Sequence, residues 1–405
     1  MTHRLQTSLL ATVAGAWLLA AAGGAEARSP RASVPAIPNL AGQVLTVNGP
    51  MSPDRLGQTL MHEHIFIDFT VPDDEPDRWR IAGRTKPTEG EALRIYEAPL
   101  TMDILGAVWY GAANRDNWRL DNEKTAVEEI ADFKQHGGGT IVDVSSIGLK
   151  RNPAGLRRVA EATGVNIVMG SSWYTRAWYS KDLETRSVED LTAEIVRDVT
   201  VGVDGTGIRS GIIGEVGTSG EPDSPVESKI IRASGRAGRL TGAAVTLHAL
   251  GFFKKHAVIL DMLAEEGTDL SRVILGHSDF LAGDTAYLIP LLQRGATIQF
   301  DLLGKSATLV RTRAPDSEVA QTIVELVKAG FGQQILLSHD ICTKTSLKSY
   351  GGTGYAFILE RLVPYLLHHG LTEAQIATIL VENPRRLLTF VAPQSLVRNR
   401  QHRNT

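Results

Sequence analysis

Thr59-Leu60-Met61-His62-Glu63-His64-Ile65-Phe66-Ile67-Asp68 reads as a strand with apolar residues on both of its faces. Alternate side chains of a strand share a face, so His62 and His64 point one way and Glu63 the other. A strand buried on both faces belongs in a parallel sheet covered by helices. Taken alone, such a histidine pair is more often two hydrogen-bonded core residues than two ligands. The rest of the chain has to decide.

Outward from this strand, short β-branched runs alternate with amphipathic segments. Strands are predicted at Gln58–Ile67, Gly139–Val144, Asn166–Gly170, Ser210–Val216, Ala243–His248, Arg272–His277, Ala296–Asp301 and Gln334–His339. Helical patterns fall between them, at Glu123–Gln135, Leu156–Thr163, Val188–Val199, Ser228–Leu240, Ala257–Glu266, Ala286–Arg294 and Ser317–Ala329, and a last helix at Glu373–Val381. Strict βα alternation repeated eight times predicts an α/β fold, a closed (β/α)8 TIM barrel rather than an open doubly wound sheet. Ser224-Pro225-Val226-Glu227 and Thr372-Glu373-Ala374-Gln375 read as capped helix starts. Gly137, Gly164 and Gly330 sit where helices should stop. A short hairpin is expected over Gly42–Pro50, and Thr70–Leu120 reads as a long inserted loop after the first strand.

Composition narrows the classes. The chain has 405 residues, enough for one large domain, and 43% hydrophobic with 21% charged residues is ordinary for a globular protein. A formal charge of −3 and no basic block give no reason to expect nucleic acid as a partner. The lone cysteine, Cys342, excludes an intramolecular disulfide and a thiolate cluster, so any metal site must use histidine and carboxylates. Arg4, the apolar run Leu9–Ala22 and Ala25-Glu26-Ala27 form the pattern of a cleaved secretory signal. The run is too short for a good membrane span, and no Arg-Arg pair precedes it. The expected organisation is a signal peptide over 1–27, a flexible linker over 28–40, the barrel over 41–392 and a polar tail over 393–405. Export to a periplasm, or secretion, follows from the signal.

A barrel gathers its functional groups at the C-terminal ends of its strands. His62 and His64 lie towards that end of the first strand, Glu215 of the fourth, His248 of the fifth, His277 of the sixth and Asp340 of the eighth. Each alone has a structural explanation: a bonded rim histidine, a salt-bridged glutamate, an aspartate cap. Together, in the fold that brings these ends to one place, they point to a metal site. His339 alternates with Asp340 and reads as structural, while His136, His256, His368 and His369 read as solvated. Four imidazoles and two carboxylates suit Zn²⁺, or Mn²⁺, Co²⁺ or Fe²⁺, rather than Ca²⁺. Six ligands are too many for one open tetrahedral ion. Divided over two ions with Glu215 bridging, they leave room for a shared hydroxide nucleophile.

Longer motifs carry a resemblance. Gly57-Gln58-Thr59-Leu60-Met61-His62-Glu63-His64, Gly137-Gly138-Gly139-Thr140-Ile141-Val142-Asp143-Val144, Asp204-Gly205-Thr206-Gly207-Ile208-Arg209 and Gly211-Ile212-Ile213-Gly214-Glu215-Val216-Gly217-Thr218-Ser219 occur in order. They are followed by Ser338-His339-Asp340-Ile341-Cys342, Tyr350-Gly351-Gly352-Thr353-Gly354-Tyr355 and Glu382-Asn383-Pro384-Arg385-Arg386-Leu387-Leu388. In these stretches the chain resembles the phosphotriesterase family of the amidohydrolase superfamily, from Gly42 to about Phe390. The resemblance assigns one metal to His62, His64 and Asp340 and the other to His248 and His277. Where the organophosphate hydrolases and lactonases carry a carbamylated lysine, this chain has Glu215, as in the phosphotriesterase-related branch.

Other positions depart from that branch. Its His-Pro-Gly-Arg after strand five is here His248-Ala249-Leu250-Gly251, and its His-Leu-Asp-Arg after strand six is His277-Ser278-Asp279-Phe280. Its Gly-His-Gly-Tyr-x-His is Gly352-Thr353-Gly354-Tyr355-Ala356-Phe357. Loss of the first arginine weakens the case for an anionic substrate. The loop Ser172–Tyr179 is unusually aromatic and reads as an apolar wall, with rim packing as the plainer reading.

The expected function is therefore hydrolysis of a small neutral or aromatic ester, lactone or amide, with phosphotriesters as a promiscuous activity. Asp340 takes the nucleophile's proton and hands it to the leaving group. Two divalent ions are the expected cofactors, with no organic one. The expected partner is this small molecule, with a homodimer the assembly considered and no membrane insertion after signal cleavage. A dedicated phosphotriesterase and a non-catalytic small-molecule-binding barrel are the alternatives.

Overall fold

Eight parallel strands lie close to where the hydrophobic runs place them: β1 Gln58–Glu63, β2 Gly138–Asp143, β3 Asn166–Met169, β4 Ile213–Gly217, β5 Val245–His248, β6 Val273–Leu275, β7 Thr297–Phe300 and β8 Ile335–Leu337. The computed structural model describes residues 34–305 and 314–394. In it β1–β3 form one parallel ladder and β4–β8 another, neighbours running in chain order. Backbone bonds join the two ladders at both seams. Gly211 N–H donates to Met169 O at 2.9 Å and Ser171 N–H to Gly214 O at 3.0 Å; on the other side Asp340 N–H donates to His62 O at 3.1 Å and His64 N–H to Ile341 O at 3.2 Å. The fold is the expected α/β barrel.

Two irregularities explain how the strands present their chemistry. The register shifts between Leu60 and Glu63 in β1 and between Ile213 and Val216 in β4. Before the first shift, Leu60 packs with Ile130 and Phe133 of the helical layer, while Met61 packs with Val142, Val168 and Ile274 of a separate central cluster. Ile212 belongs to that central cluster, and Ile213 packs with the helices beyond. Bulges re-aim side chains at barrel rims, and both ladder breaks fall beside expected ligands. Regular alternation could not have predicted them.

Most strands are shorter than their apolar runs because the terminal residues leave the ladder. His277 and Asp340 adopt left-handed backbone, with φ of 56° and 51°. Non-glycine residues held there concentrate at functional sites.

Helix starts follow the expected physics in part. Thr372 and Gln375 form the full capping box, and Asn122 accepts the Thr125 N–H at the start of Glu123–Gln135. Gly164 closes Pro153–Thr163 in the left-handed conformation. Ser224 makes no side-chain cap; Glu227 instead accepts the Ser219 N–H and ties the β4 loop to its helix.

The segment after β1 is more than a loop. It holds three helices, Pro76–Ile81, Gly90–Glu97 and Met102–Trp109, and Arg119–Leu120 pairs with Ile67–Asp68. These helices are too short for an amphipathic period to stand out, and they are held by their own clusters. Val71, Trp79 and Tyr96 form one; Ile95, Leu100, Ile104 and Val108 form another.

The expected signal at 1–27 lies outside the described residues, as do the first part of the linker, 28–33, and the tail from residue 395. The end of the linker is not free: Leu40 is buried and packs, with Ile37 beside it, on the barrel's helical layer. Among the described residues no helix is long and apolar enough to cross a membrane.

His256 corrects another expectation. It is 1% exposed, with Nε2 bonded to Ala249 O and Nδ1 to the Tyr287 hydroxyl. Burial, only partly offset by the Ala249 bond, pushes its pKa down to about 4. The unfolded chain therefore takes up the proton first as pH falls from about 6.5, and stability is lost between there and about 4. Denaturant titrations should show about 3 kcal/mol lost across that window on this group's account. His256→Gln should flatten that acid limb; an unchanged limb would contradict the assignment.

Candidate metal centre

All six expected residues converge at the C-terminal end of the barrel. His64 Nε2 lies 3.4 Å from Glu215 Oε1 and 3.2 Å from Asp340 Oδ1, and His62 Nε2 lies 3.5 Å from Glu215 Oε2 and 3.7 Å from Asp340 Oδ1. His277 Nε2 lies 4.0 Å from Glu215 Oε2. The His248 and His277 ring centres are 4.5 Å apart and nearly perpendicular. Two donor groups of metal-binding spacing result, His62 with His64 and Glu215, and His248 with His277 and Glu215. Glu215 belongs to both.

The surrounding bonds decide which ring nitrogen is available. Ser145 spends its hydroxyl proton on Phe66 O, so His64 Nδ1 must be the donor in its 3.0 Å contact with Ser145 Oγ. That leaves the lone pair of His64 on Nε2. His277 Nδ1 is held by Asp301 Oδ1 at 2.8 Å, and His62 Nδ1 lies 3.1 Å from Asp301 Oδ2, outside hydrogen-bond alignment. Their Nε2 atoms face the carboxylates. His248 is reversed: Nε2 meets the Tyr174 hydroxyl at 3.1 Å, and Nδ1 is left over. His62 Nε2, His64 Nε2, His248 Nδ1 and Glu215 Oε2 are all buried without a hydrogen-bond partner. Buried polar atoms rarely stay unpaired, and these four are the atoms a cation would take. The donor set fits divalent metal.

Charge balance supports this fit. Burial opposes a proton on His62, but Asp301 and Glu215 overcome it and push its pKa up to about 10. Burial and the His277 charge hold His248 well below its ordinary value, as a neutral ligand requires. Burial raises Glu215 against the pull of His62 and His64. Burial would raise Asp340 too, yet Lys305 and the histidines hold it well below the usual carboxylate range. Lys305 Nζ reaches Asp340 Oδ2 at 2.8 Å, which leaves Oδ1 towards the histidines. The carboxylates that favour a proton on His62 are the groups that would favour a cation in its place.

Other residues that shape the site did not stand out in the sequence. Asp301 ends the seventh run as the ligands end theirs, so the same strand-end rule could have flagged it. It holds the His277 ring, lies beside His62 Nδ1, and is itself fixed by Gln299 Nε2 at 2.9 Å. Lys305 and Ser145 sit in loops with no motif. Tyr355, within a quoted motif, donates its hydroxyl to His64 O at 2.9 Å. His339 is structural: it contacts Glu63 Oε1 through Nδ1 at 2.8 Å and accepts the Ile358 N–H on Nε2. His136, His368 and His369 are at the surface.

A cavity of about 1130 Å³ opens over the centre, with His248, Lys305 and Cys342 in its lining and Phe69, Trp118, Tyr174 and Trp178 as aromatic walls. The aromatic loop divides between cavity lining and core packing. Tyr174 and Trp178 line the cavity, while Trp173 is buried in the helical layer.

Residues 42–388 match the model of the Phosphotriesterase family. The human N-acetyltaurine hydrolase is 35% identical over 360 residues, covering 87% of this chain and 99% of that protein. A resiniferatoxin-binding protein from Rhodobacter sphaeroides superposes with a TM-score of 0.78 at 35% identity, over 86% of this chain and 96% of its own. A lactonase from Listeria monocytogenes gives 0.68 at 25% identity, over 86% and 99%. With the family matched over nearly all the described residues, the chain is a hydrolase belonging to the phosphotriesterase family.

Proposed function

We propose that the protein is a binuclear metal-dependent hydrolase that cleaves a small carboxylic ester, lactone or amide, with phosphotriesters as a secondary activity. The observation that carries this is the pair of donor groups sharing Glu215, with their buried coordinating atoms otherwise unpartnered. His62, His64 and Asp340 would hold one ion and His248 and His277 the other, with Glu215 common to both. Two divalent ions there, zinc being the best match to this donor set, supply Lewis acidity that activates water and steadies the developing oxyanion.

The chain's own residues do the remainder. Asp340 Oδ1 takes the proton of the water that attacks the carbonyl carbon. As the bond from that carbon to the leaving oxygen or nitrogen breaks, Asp340 returns the proton to the leaving atom. Lys305 keeps the carboxylate ionised and aimed. Tyr174 and Asp301 fix the rings of His248 and His277, so the donors are preorganised. The aromatic walls suit a substrate with an apolar body. Ester, lactone and amide fit this chemistry equally, and the relatives named for a lactone and an amide substrate support that range.

Aryl esters, lactones, N-acyl amines and dialkyl aryl phosphates, assayed with Zn²⁺ or Mn²⁺, test the reading. Turnover of a carboxylic substrate at least about tenfold above the triester is expected, since one order of magnitude is about 1.4 kcal/mol of transition-state preference. Fast turnover of the triester alone would instead assign a dedicated phosphotriesterase. The relative named for binding resiniferatoxin favours a second reading, a barrel that binds without reacting. Tight binding by fully metallated protein with no turnover of any panel member would select it.

We also propose that the chain is exported, on the pattern of residues 1–27. N-terminal sequencing of protein from its native host should find a start near Arg28; intact Met1 on a cytoplasmic product would contradict export.

A further inference from the structure

We propose that Arg84 recognises an anionic group, a carboxylate or sulfonate, at the far end of the substrate from the bond that is cleaved. This rests on the hydrolase reading above. Arg84 enters the cavity from the segment after β1. Its Cζ lies 4.1 Å from the Trp118 ring centre, 5.5 Å from Trp178 and 5.9 Å from Phe69. Nη1 donates to Phe69 O at 2.6 Å. Among the described residues no carboxylate lies within ion-pair distance of this guanidinium; Arg80 and Arg94, exposed on the same segment, each have one. Most of a five-donor fork is thus left to the cavity, and a partly buried cation without a counter-charge is costly.

The surroundings favour an anion as the missing partner. The described lining of the cavity contains Arg84 and Lys305 but no aspartate or glutamate, and Lys305 is already committed to Asp340. Aromatic faces hold the guanidinium plane in place, which suits bidentate capture of a carboxylate or sulfonate. One aromatic layer separates Arg84 from the candidate centre: the Phe69 ring lies 6.3 Å from that of His64 and 5.7 Å from that of Tyr174, whose hydroxyl meets His248. An acyl compound with its carbonyl at the centre and its charge a few bonds away would span that layer. The missing arginine after strand five argued for a neutral substrate. Arg84 answers it from another loop, through a residue no motif marked.

The test uses metal-loaded full-length protein and two probes, N-benzoyl-β-alanine and its neutral primary amide. Binding is measured by calorimetry and turnover by amine release. Wild type should bind the carboxylate about 10- to 100-fold more tightly than the amide, the range for a charge-assisted fork. Arg84→Gln should bring the two within about twofold while leaving amide affinity unchanged, and Arg84→Lys should keep part of the preference because it keeps charge but not the fork. If Arg84→Gln does not fold, a reduced preference in Arg84→Lys supports the assignment and an unchanged one overturns it. No preference in wild type, or a full preference in Arg84→Gln, also overturns it. Arg84-dependent binding without turnover of any substrate would sink the hydrolase reading and leave the anion site standing. Turnover without an Arg84-dependent preference would do the reverse.

Discussion

Asp340→Asn protein is expected to fold normally and to turn over its best substrate about 10²- to 10⁴-fold more slowly than wild type, the range for loss of a positioned proton acceptor. Three features of the site set this expectation. Asp340 Oδ1 stands within 3.7 Å of both His62 Nε2 and His64 Nε2, so it borders the place where a nucleophile would be generated. Its other oxygen is tied to Lys305, so the carboxylate has one working direction. Its pKa is held low by Lys305 and the histidines against burial, so it is ionised at neutral pH and ready to accept a proton. The amide keeps the shape and loses the basicity. Circular dichroism and the thermal midpoint separate misfolding from lost chemistry, and activity within about twofold of wild type would remove Asp340 from the proton path.

Glu215→Ala should have a comparable effect by a different route. Glu215 alone belongs to both donor groups, so its removal weakens both ion sites at once. Removal of even an indirect supporting contact costs about 10- to 100-fold in metal affinity or activity, and a direct shared ligand should exceed that. Purified variant should retain less metal than a His248→Ala variant, which touches one group only. Activity should fall by more than about 10²-fold and should not return at metal concentrations that saturate wild type. Equal metal retention in the two variants would show that Glu215 is not shared.

These variants could be chosen from the sequence because the barrel makes its own site legible. Strand ends of a parallel barrel converge whatever the loops do, so His62, His64, Glu215, His248, His277 and Asp340 were readable as one set from their place at the ends of apolar runs. The path that brings them together was not. Glu215 and His62 reach the centre through ladder irregularities, and His277 and Asp340 through left-handed backbone, features that follow from tertiary packing rather than from local pattern. His256 looked solvated because it opens a helix; only the packing of Tyr287 and Ala249 around it reveals burial. Specificity was the least legible. Arg84 lies in a segment whose helices are too short to show a period, and its stacking on Trp118 brings together residues far apart in the chain.

Elemental analysis coupled to activity tests the central claim most directly. Active protein, purified without chelator and freed of loosely bound ions, should carry two divalent ions per chain. A strong chelator should remove them together with turnover, and adding back Zn²⁺ or another ion of similar ligand preference should restore both in parallel. Undiminished turnover by protein that contains no divalent metal would contradict the account.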